Sequence, residues 1–166
     1  MFHVILHEPE IPQNAGNIIR LCANTGTTLH LIHPLGFALD DRRLRRAGLD
    51  YGEFATIRQH RSVEACLDDF EPGRVHAVST RAQRVYSTPT FVPGDAFLFG
   101  AETRGLPDSV LARFTASRQL RIPMRPDSRS LNLANAAAVL IYEAWRQNGF
   151  SGAQGQPAQT VARTLR

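Results

Sequence analysis

The sequence predicts an α/β fold in which a mostly parallel β-sheet carries helices on both faces. Short apolar segments alternate with amphipathic segments along the chain, and several apolar segments are continuous, as in strands that are buried on both sides. The chain has 166 residues, of which 43% are hydrophobic and 20% charged. This size and composition are typical of one globular domain.

The first half of the chain begins with a strand and a helix. Residues 2–7 (FHVILH) predict the strand, and residues 14–26 predict the helix, with Asn14 capping its start and Gly26 ending it. The elements that follow are a strand near 29–33, an arginine-rich helix at 40–48, a possible strand at 54–58 and an amphipathic helix at 62–70.

The second half continues the alternation and ends in a long helix. Its predicted elements are a strand at 74–79, a strand at 95–100, a short helix at 107–114 opened by Pro107, a strand at 118–124 and a helix at 130–149. Residues 151–166 are small and polar, with Pro and Gly and no periodic apolar face. We therefore expect one domain over residues 1–150 and a disordered tail over 151–166.

The composition excludes several chemistries. The basic residues number 19 and all are arginine, so a lysine Schiff base is impossible. A Walker A phosphate loop is excluded as well, because Leu106 stands where the motif needs lysine. No G-x-G-x-x-G follows a predicted strand, so an ordinary dinucleotide fold is not indicated. The net charge of +4 favours a polyanionic partner.

The cysteines and the N-terminal segment predict neither a metal site nor a membrane segment. Cys22 and Cys66 lack C-x-x-C spacing and are interpreted as buried free thiols. The first residues lack the basic region and long apolar run of a secretory signal, and no apolar run approaches the length of a membrane span. We expect a cytoplasmic protein without membrane contact.

Two clusters of polar residues have both a functional and an ordinary interpretation. Asn14, Asn17 and Arg20 lie together at the start of the first helix, where they either form a site or are an N-cap and a solvated arginine. The four arginines of the segment RRLRR either bind phosphates or belong to a charged helix that is exposed to solvent. They are Arg42, Arg43, Arg45 and Arg46.

Two further motifs follow predicted strands in the second half. FGAETRGLP (99–107) places Gly100 at a strand end, where parallel α/β sheets bind ligands. A tight turn would explain the two glycines but not Glu102 between them. Ser130 and Asn132 stand at the predicted start of the last helix, whose free N–H groups could hold a carboxylate. The pattern of the same helix also indicates an ordinary helix that packs in the core.

Together these motifs resemble the SPOUT family of methyltransferases over about residues 1–150. The resemblance is carried by NAGNIIRLCANTG, RRAGLDY, FGAETRGLP and DSRSLNLANAAAVLIYEAWRQ, and it favours the branch that methylates the wobble ribose of tRNA. It implies a homodimer whose C-terminal part forms a deep trefoil knot, which general topology rules would not predict. It also implies S-adenosylmethionine as cofactor, S-adenosylhomocysteine as product, no metal, and the anticodon loop of tRNA as partner.

The resemblance also implies roles for particular residues. The 2′-hydroxyl of nucleotide 34, a cytidine or modified uridine, would accept the methyl group with help from Arg20, supported by Asn14 and Glu102. Arginine is a poor base, so Arg20 is either the base or a residue that orients the acceptor. The arginines at 42–46 would contact phosphates. The cofactor would be bound by Val78, Thr80, Gly100, Glu102, Ile122, Ser130 and Asn132.

The resemblance places the first and last helices at the dimer interface. Arg20 of one protomer would then face the cofactor held by its partner. Two alternatives are left open: methylation of another tRNA or rRNA site, and a non-catalytic RNA-binding module.

Overall fold

A seven-stranded sheet forms the centre of the protein. The structure, a computed structural model, describes residues 1–39, 57–128 and 130–154. The strands are β1 His3–His7, β2 Thr28–Ile32, β3 Ile57–His60, β4 Val75–Val78, β5 Arg84–Val85, β6 Ala96–Phe99 and β7 Gln119–Arg121. Their order across the sheet is β3-β2-β1-β6-β4-β7-β5, and these strands pair in parallel throughout. The predicted parallel α/β sheet is confirmed.

Helices cover both faces of the sheet. They are α1 Pro12–Thr25, α2 Val63–Leu67, α3 Asp108–Leu111 and α4 Leu133–Gln147, with a 3-10 turn at Ala116–Arg118. Because side chains alternate along a strand, Val4 and Leu6 pack with α1 and α4 on one face, whereas Ile5 packs with α2 and α3 on the other. None of the helices in the described ranges has the length and apolar character needed to cross a bilayer.

Two predicted helix starts are wrong, and both errors concern asparagines. Helix α1 begins at Pro12 rather than residue 14, so Asn14 lies inside the first turn, and the N-cap residue Ile11 provides no side-chain cap. Helix α4 begins at Leu133 rather than 130, because the side chain of Asn132 accepts hydrogen bonds from the first amides of the helix. The predicted end of α1 at Gly26 is confirmed by its left-handed φ of 66°.

Other predicted boundaries shift for local reasons. Strand β7 stops at Arg121 rather than residue 124, because Pro123 cannot donate to a strand ladder and restricts the residue before it. The two-residue strand β5 was too short to produce a pattern in the sequence. Helices α2 and α3 are shorter than predicted, and the strand expected at 54–58 is observed as β3 at 57–60. The arginine-rich helix at 40–48 lies outside the described residues.

The two cysteines and the start of the tail have defined surroundings. Cys22 and Cys66 are buried free thiols, as predicted. Residues 151–154 follow α4 closely, and the carbonyl of Ser151 accepts a hydrogen bond from the indole of Trp145 at 2.9 Å. Residues 155–166 of the expected tail lie outside the described residues, so its disorder stays a prediction.

Candidate active site

A cavity of about 440 Å³ opens at the carboxyl ends of β4, β6 and β7. These three strands are neighbours in the sheet, in the order β6-β4-β7. The cavity walls are the loops that follow the strands, together with the segment that leads into α4 and the start of α1. Ligands of parallel α/β proteins bind beyond the carboxyl ends of strands, and the volume suits a small molecule.

The cavity brings together all the residues that the sequence assigned to a cofactor. They come from four separate stretches of the chain, and every one lines the cavity: Val78, Thr80, Gly100, Glu102, Ile122, Ser130 and Asn132. Val78 and Ile122 are half-buried, and Ser130 and Asn132 are exposed at the rim. The neighbouring apolar residues Leu106 and Met124 also line the cavity, and they were missed because nothing in their local pattern separates them from core residues.

The two glycines of FGAETRGLP are required for different reasons. A Cβ atom on Gly100 would lie 2.0 Å from the carbonyl carbon of Gly105 and 2.1 Å from the nitrogen of Leu106. Gly105 has a φ of +68°, and its N–H donates to the carbonyl of Ala101 at 2.8 Å. Gly100 therefore allows the loop to fold back onto the end of β6, and Gly105 allows the turn itself.

The carboxylate of Glu102 in this loop accepts hydrogen bonds from the residues at the start of α1. One carboxylate oxygen accepts from the N–H of Glu10 at 2.7 Å, and the other accepts from the N–H of Ile11 at 3.2 Å and the side-chain amide of Asn14 at 2.9 Å. Helix α1 has no acidic residue in its first turn and no side-chain cap of its own. Glu102 thus supplies, from 88 to 92 residues away in sequence, the anionic partner that the helix start favours.

A second hydrogen bond extends this link to α4. The side-chain amide of Asn132 donates to Oδ1 of Asn14 at 2.9 Å, and its own Oδ1 accepts from the N–H of Ala134 at 2.9 Å. Glu102, Asn14 and Asn132 therefore form a chain that joins the loop after β6 to the starts of α1 and α4. The sequence selected all three residues, but as catalytic and cofactor groups. Those roles stay predictions, whereas the structure assigns the residues a contact with one another.

The rim of the cavity carries a charged network that sequence reasoning missed. The N–H and hydroxyl of Thr103 donate to the carboxylate of Glu10 at 3.2 and 2.6 Å, and Arg104 pairs with Glu8 at 3.2 Å and with Glu10 at 3.3 Å. The hydrogen bond from the Thr103 hydroxyl is the main cause that lowers the pKa of Glu10. Glu8 and Glu10 follow the carboxyl end of β1, and this position in a parallel sheet was the signal available for finding them.

Of the predicted arginines, only Arg20 falls within the described residues. Arg20 is exposed on α1 and is not among the residues that line the cavity of its own chain. Arg42, Arg43, Arg45 and Arg46 lie outside the described residues.

Comparison with known proteins identifies the family of this chain. Residues 1–142 match the model of the family described as SpoU rRNA Methylase family. A protein of Methylovorus glucosotrophus named tRNA (cytidine(34)-2'-O)-methyltransferase is 55% identical over 153 residues, which cover 92% of this chain and 99% of that protein.

Solved structures give the same result. One, described as "Structural insights into the 2-OH methylation of C/U34 on tRNA", is 50% identical with a TM-score of 0.82 and covers 90% of this chain and 97% of its own. The SpoU methyltransferase AviRb from Streptomyces viridochromogenes in complex with the cofactor AdoMet is 26% identical with a TM-score of 0.75, covering 90% of this chain and 58% of its own.

The sheet and its cavity define a parallel α/β protein with a cavity of small-molecule size at the carboxyl ends of neighbouring strands. The matches to the family model and to full-length relatives make the assignment specific: the chain belongs to the SpoU methylase family. The resemblance to SPOUT methyltransferases inferred from the motifs is confirmed.

Proposed function

We propose that this protein transfers a methyl group from S-adenosylmethionine to the ribose 2′-oxygen of nucleotide 34 in tRNA. The observation that carries the proposal is that residues from four separate stretches of the chain, which the family resemblance assigned to the cofactor, line one cavity. The relative from Methylovorus glucosotrophus, named for methylation of cytidine 34, aligns over nearly the full length of both chains. The similarity that supports nucleotide 34 as the target therefore extends over the whole domain.

The residues of the cavity fit the cofactor. Val78 and Ile122 offer apolar surface for an adenine ring, and backbone groups after β4, β6 and β7 are available for its polar edges. Bound S-adenosylmethionine supplies a methyl group that is already activated, and S-adenosylhomocysteine is left. Ser130 is exposed before α4 and is suited to the polar methionine part, and Asn132 beside it lines the same cavity while its side chain bonds Asn14 and the start of α4. The protein then has to position the hydroxyl and help it lose its proton.

The acceptor is an RNA because only RNA carries a 2′-hydroxyl. A nucleotide in a loop can leave its stack at lower cost than one in a helix, which suits position 34 of an anticodon loop. Arg121 and Arg125 are exposed and adjoin the cavity residues Ile122 and Met124, so positive charge is available beside the cavity for phosphates. Contacts from the arginines at 42–46 remain part of the proposal.

The site is proposed to be shared between two protomers. Arg20 is six residues beyond Asn14 and so lies about 9 Å further along α1, away from the cavity of its own chain. Ile11, Met124 and Leu131 line the cavity yet are 39%, 36% and 42% exposed, which suits an apolar rim covered by a second copy. Arg20 would then reach the partner's cavity and orient the 2′-hydroxyl or a neighbouring phosphate, since an arginine stays protonated.

A mixing experiment tests the shared site. Arg20→Ala and Gly100→Trp variants, each inactive alone, are combined under conditions that exchange differently tagged subunits. In a shared arrangement both lesions fall in one site of the mixed dimer, so the other site is intact and partial activity returns. Mixed dimers that form but stay inactive would show that each site belongs to one protomer.

We also propose that the C-terminal part is knotted, as the family resemblance implies. The end of α4 is held by the segment between β5 and β6: Gln147 donates to the carbonyl of Pro89 at 3.1 Å, the N–H of Phe91 donates to Gln147 at 2.8 Å, and Asn148 donates to the carbonyl of Phe91 at 3.0 Å. These contacts hold the end of α4 against the segment between β5 and β6. A tRNA substrate also agrees with the cytoplasmic location expected from the sequence.

The function is tested in cells that lack the gene. Mass spectrometry of their tRNA should reveal the loss of 2′-O-methylation at nucleotide 34, restored by the wild-type chain and not by Arg20→Ala. Loss at another tRNA position or in rRNA would overturn the substrate assignment. No lost methyl group, together with no binding of S-adenosylmethionine in calorimetry, would favour a non-catalytic RNA-binding module.

A further inference from the structure

We propose that His30, His60 and Cys66 form a binding site for a transition-metal ion, with Zn²⁺ the preferred ion. His30 lies on β2, His60 ends β3 and Cys66 lies on α2. One ligand atom from each residue lies within 4.8 Å of the other two. The group is separate from the cavity described above, because none of the three residues lines it. The inference therefore does not depend on the proposed methyl transfer.

The fold places the three side chains on one face of the sheet. His60 is the register partner of Ile32, which is two residues beyond His30, so both imidazoles project from the same face. That face packs against α2, where Cys66 points into the same core cluster as Ile32. His30 and Cys66 are buried, and His60 is half-buried. Two strands and a helix thus bring together residues that are 30 and 6 positions apart in sequence.

The two imidazoles are already close to the separation that a metal requires. Nδ1 of His30 and Nε2 of His60 lie 2.9 Å apart and form a hydrogen bond, which an ion would replace once the donor ring carries its proton on its other nitrogen. An ion at the usual Zn–N distance of about 2.0–2.1 Å from both would subtend an angle of about 90°, and widening the gap by about 0.4 Å gives a tetrahedral angle. The Cys66 sulfur would have to come within about 3.6 Å of each nitrogen, given a Zn–S bond of about 2.3 Å.

A partner for the outer nitrogen of His30 is also in place. Metal-bound histidines generally donate their second ring N–H to an acceptor that fixes the ring. Nε2 of His30 lies 3.1 Å from Nδ1 of His3, which can accept that hydrogen bond. His30 can therefore carry its proton on Nε2 and turn its Nδ1 lone pair from His60 towards the ion, and His3 becomes a positioning residue for the site.

The surroundings provide access and select the class of ion. A second cavity of about 310 Å³ is lined by His3, His30 and Asp69, but His30 and Cys66 are fully buried, so an ion would reach the group from the side of the half-buried His60. The Arg58 guanidinium beside this cavity is paired with Asp69 at 3.7 Å, which offsets its charge. Two imidazoles and a thiolate favour zinc, copper or cobalt over magnesium and calcium, which prefer oxygen ligands. A water molecule would complete four-coordination.

Metal content and spectroscopy of the full chain test the site. Protein stripped with a chelator is titrated with ZnSO₄ or CoCl₂, and bound metal is counted by mass spectrometry. We expect one ion per chain, a thiolate-to-cobalt absorption band, and a rise in melting temperature of about 5–10 °C at free zinc near 100 times the dissociation constant. Cys66→Ala should lose the band and the bound metal. Cys22→Ala, which removes the other buried thiol, should keep both.

The histidines have their own controls. His60→Gln should bind zinc at least about tenfold more weakly, whereas His33→Gln, on an exposed histidine bonded to Gln59 of the same strand pair, should bind like the wild type. If Cys66→Ala does not fold, X-ray absorption of the zinc-loaded wild type decides: one sulfur and two nitrogen neighbours support the site. A metal content below one per two chains, equal binding by Cys66→Ala and Cys22→Ala, or a zinc shell without sulfur would overturn it.

Discussion

Replacing Glu102 by glutamine is expected to loosen the start of α1. The carboxylate accepts three hydrogen bonds, from Glu10, Ile11 and Asn14, and a glutamine side chain retains one acceptor oxygen instead of two. At least one donor is then left facing an NH₂ group, at a cost of about 1–3 kcal/mol. Loss of the negative charge at the helix start adds about 0.3–1 kcal/mol.

The expected loss is therefore about 1–4 kcal/mol of unfolding free energy, which in a domain of this size lowers the melting temperature by about 3–16 °C. Differential scanning calorimetry of Glu102→Gln measures it, with Glu71→Gln, on an exposed carboxylate, as the matched control. Titration with S-adenosylmethionine should show an affinity loss below about tenfold, or 1.4 kcal/mol, because the link between Asn14 and Asn132 is retained.

The opposite pattern would refute this reasoning. In that pattern the Glu102→Gln protein has the melting temperature of the wild type and binds S-adenosylmethionine more than tenfold more weakly. That result would show that the carboxylate contacts the cofactor directly. The role predicted from the sequence would then be the correct one, and the contact with α1 would contribute little.

Three further predictions concern the loop, the core and the RNA contacts. Gly100→Ala should abolish cofactor binding in calorimetry, since its Cβ would meet the Gly105 backbone at 2.0 Å, whereas Gly105→Ala, with open space but a φ of +68°, should cost only about 1–2 kcal/mol in thermal unfolding. Burial, followed by the charge of Arg118, lowers the pKa of His76 from 6.5 to about 4, so the wild type should lose stability as the pH falls from 6.5 to 4. In urea titrations, His76→Gln should remove up to about 3 kcal/mol of that loss. An unchanged pH dependence of stability in this variant would contradict the prediction. Replacing Arg42, Arg43, Arg45 and Arg46 together by glutamine should weaken tRNA binding and flatten its salt dependence in filter-binding assays. An unchanged dependence on salt would show that these arginines are solvated residues without phosphate contacts.

Sequence patterns predicted six of the seven described strands but not β5, and the family resemblance named seven of the residues that line the cavity but not Leu106 or Met124. The continuous apolar run ending at Phe99 and the glycine after it predict a buried strand and a ligand loop, because local hydrophobic pattern and chain direction determine both. Strand order was not predictable in the same way, since the neighbours of β6 are β1 and β4 and neither is fixed by local sequence.

Long-range polar contacts could not be predicted at all. Asn14 is a residue type that commonly caps helices, yet Glu102 accepts the hydrogen bonds at the start of α1. Glu102 is 88 residues from Asn14 in sequence and reaches the helix only because β1 and β6 are adjacent in the sheet. The same holds for the approach of His30 and His60, whose pairing depends on the register of β2 and β3. Such contacts follow from topology, which a single sequence does not encode in any one segment.

Methylation of a purified tRNA tests the central claim most directly. The protein is incubated with S-adenosylmethionine and a substrate tRNA, and the RNA is digested and mapped by mass spectrometry beside the same tRNA carrying a 2′-deoxyribose at nucleotide 34. We predict one added methyl group, on the ribose of nucleotide 34, and none on the deoxy substrate. Methylation at another nucleotide, or of the deoxy substrate to the same extent, would contradict the proposed function.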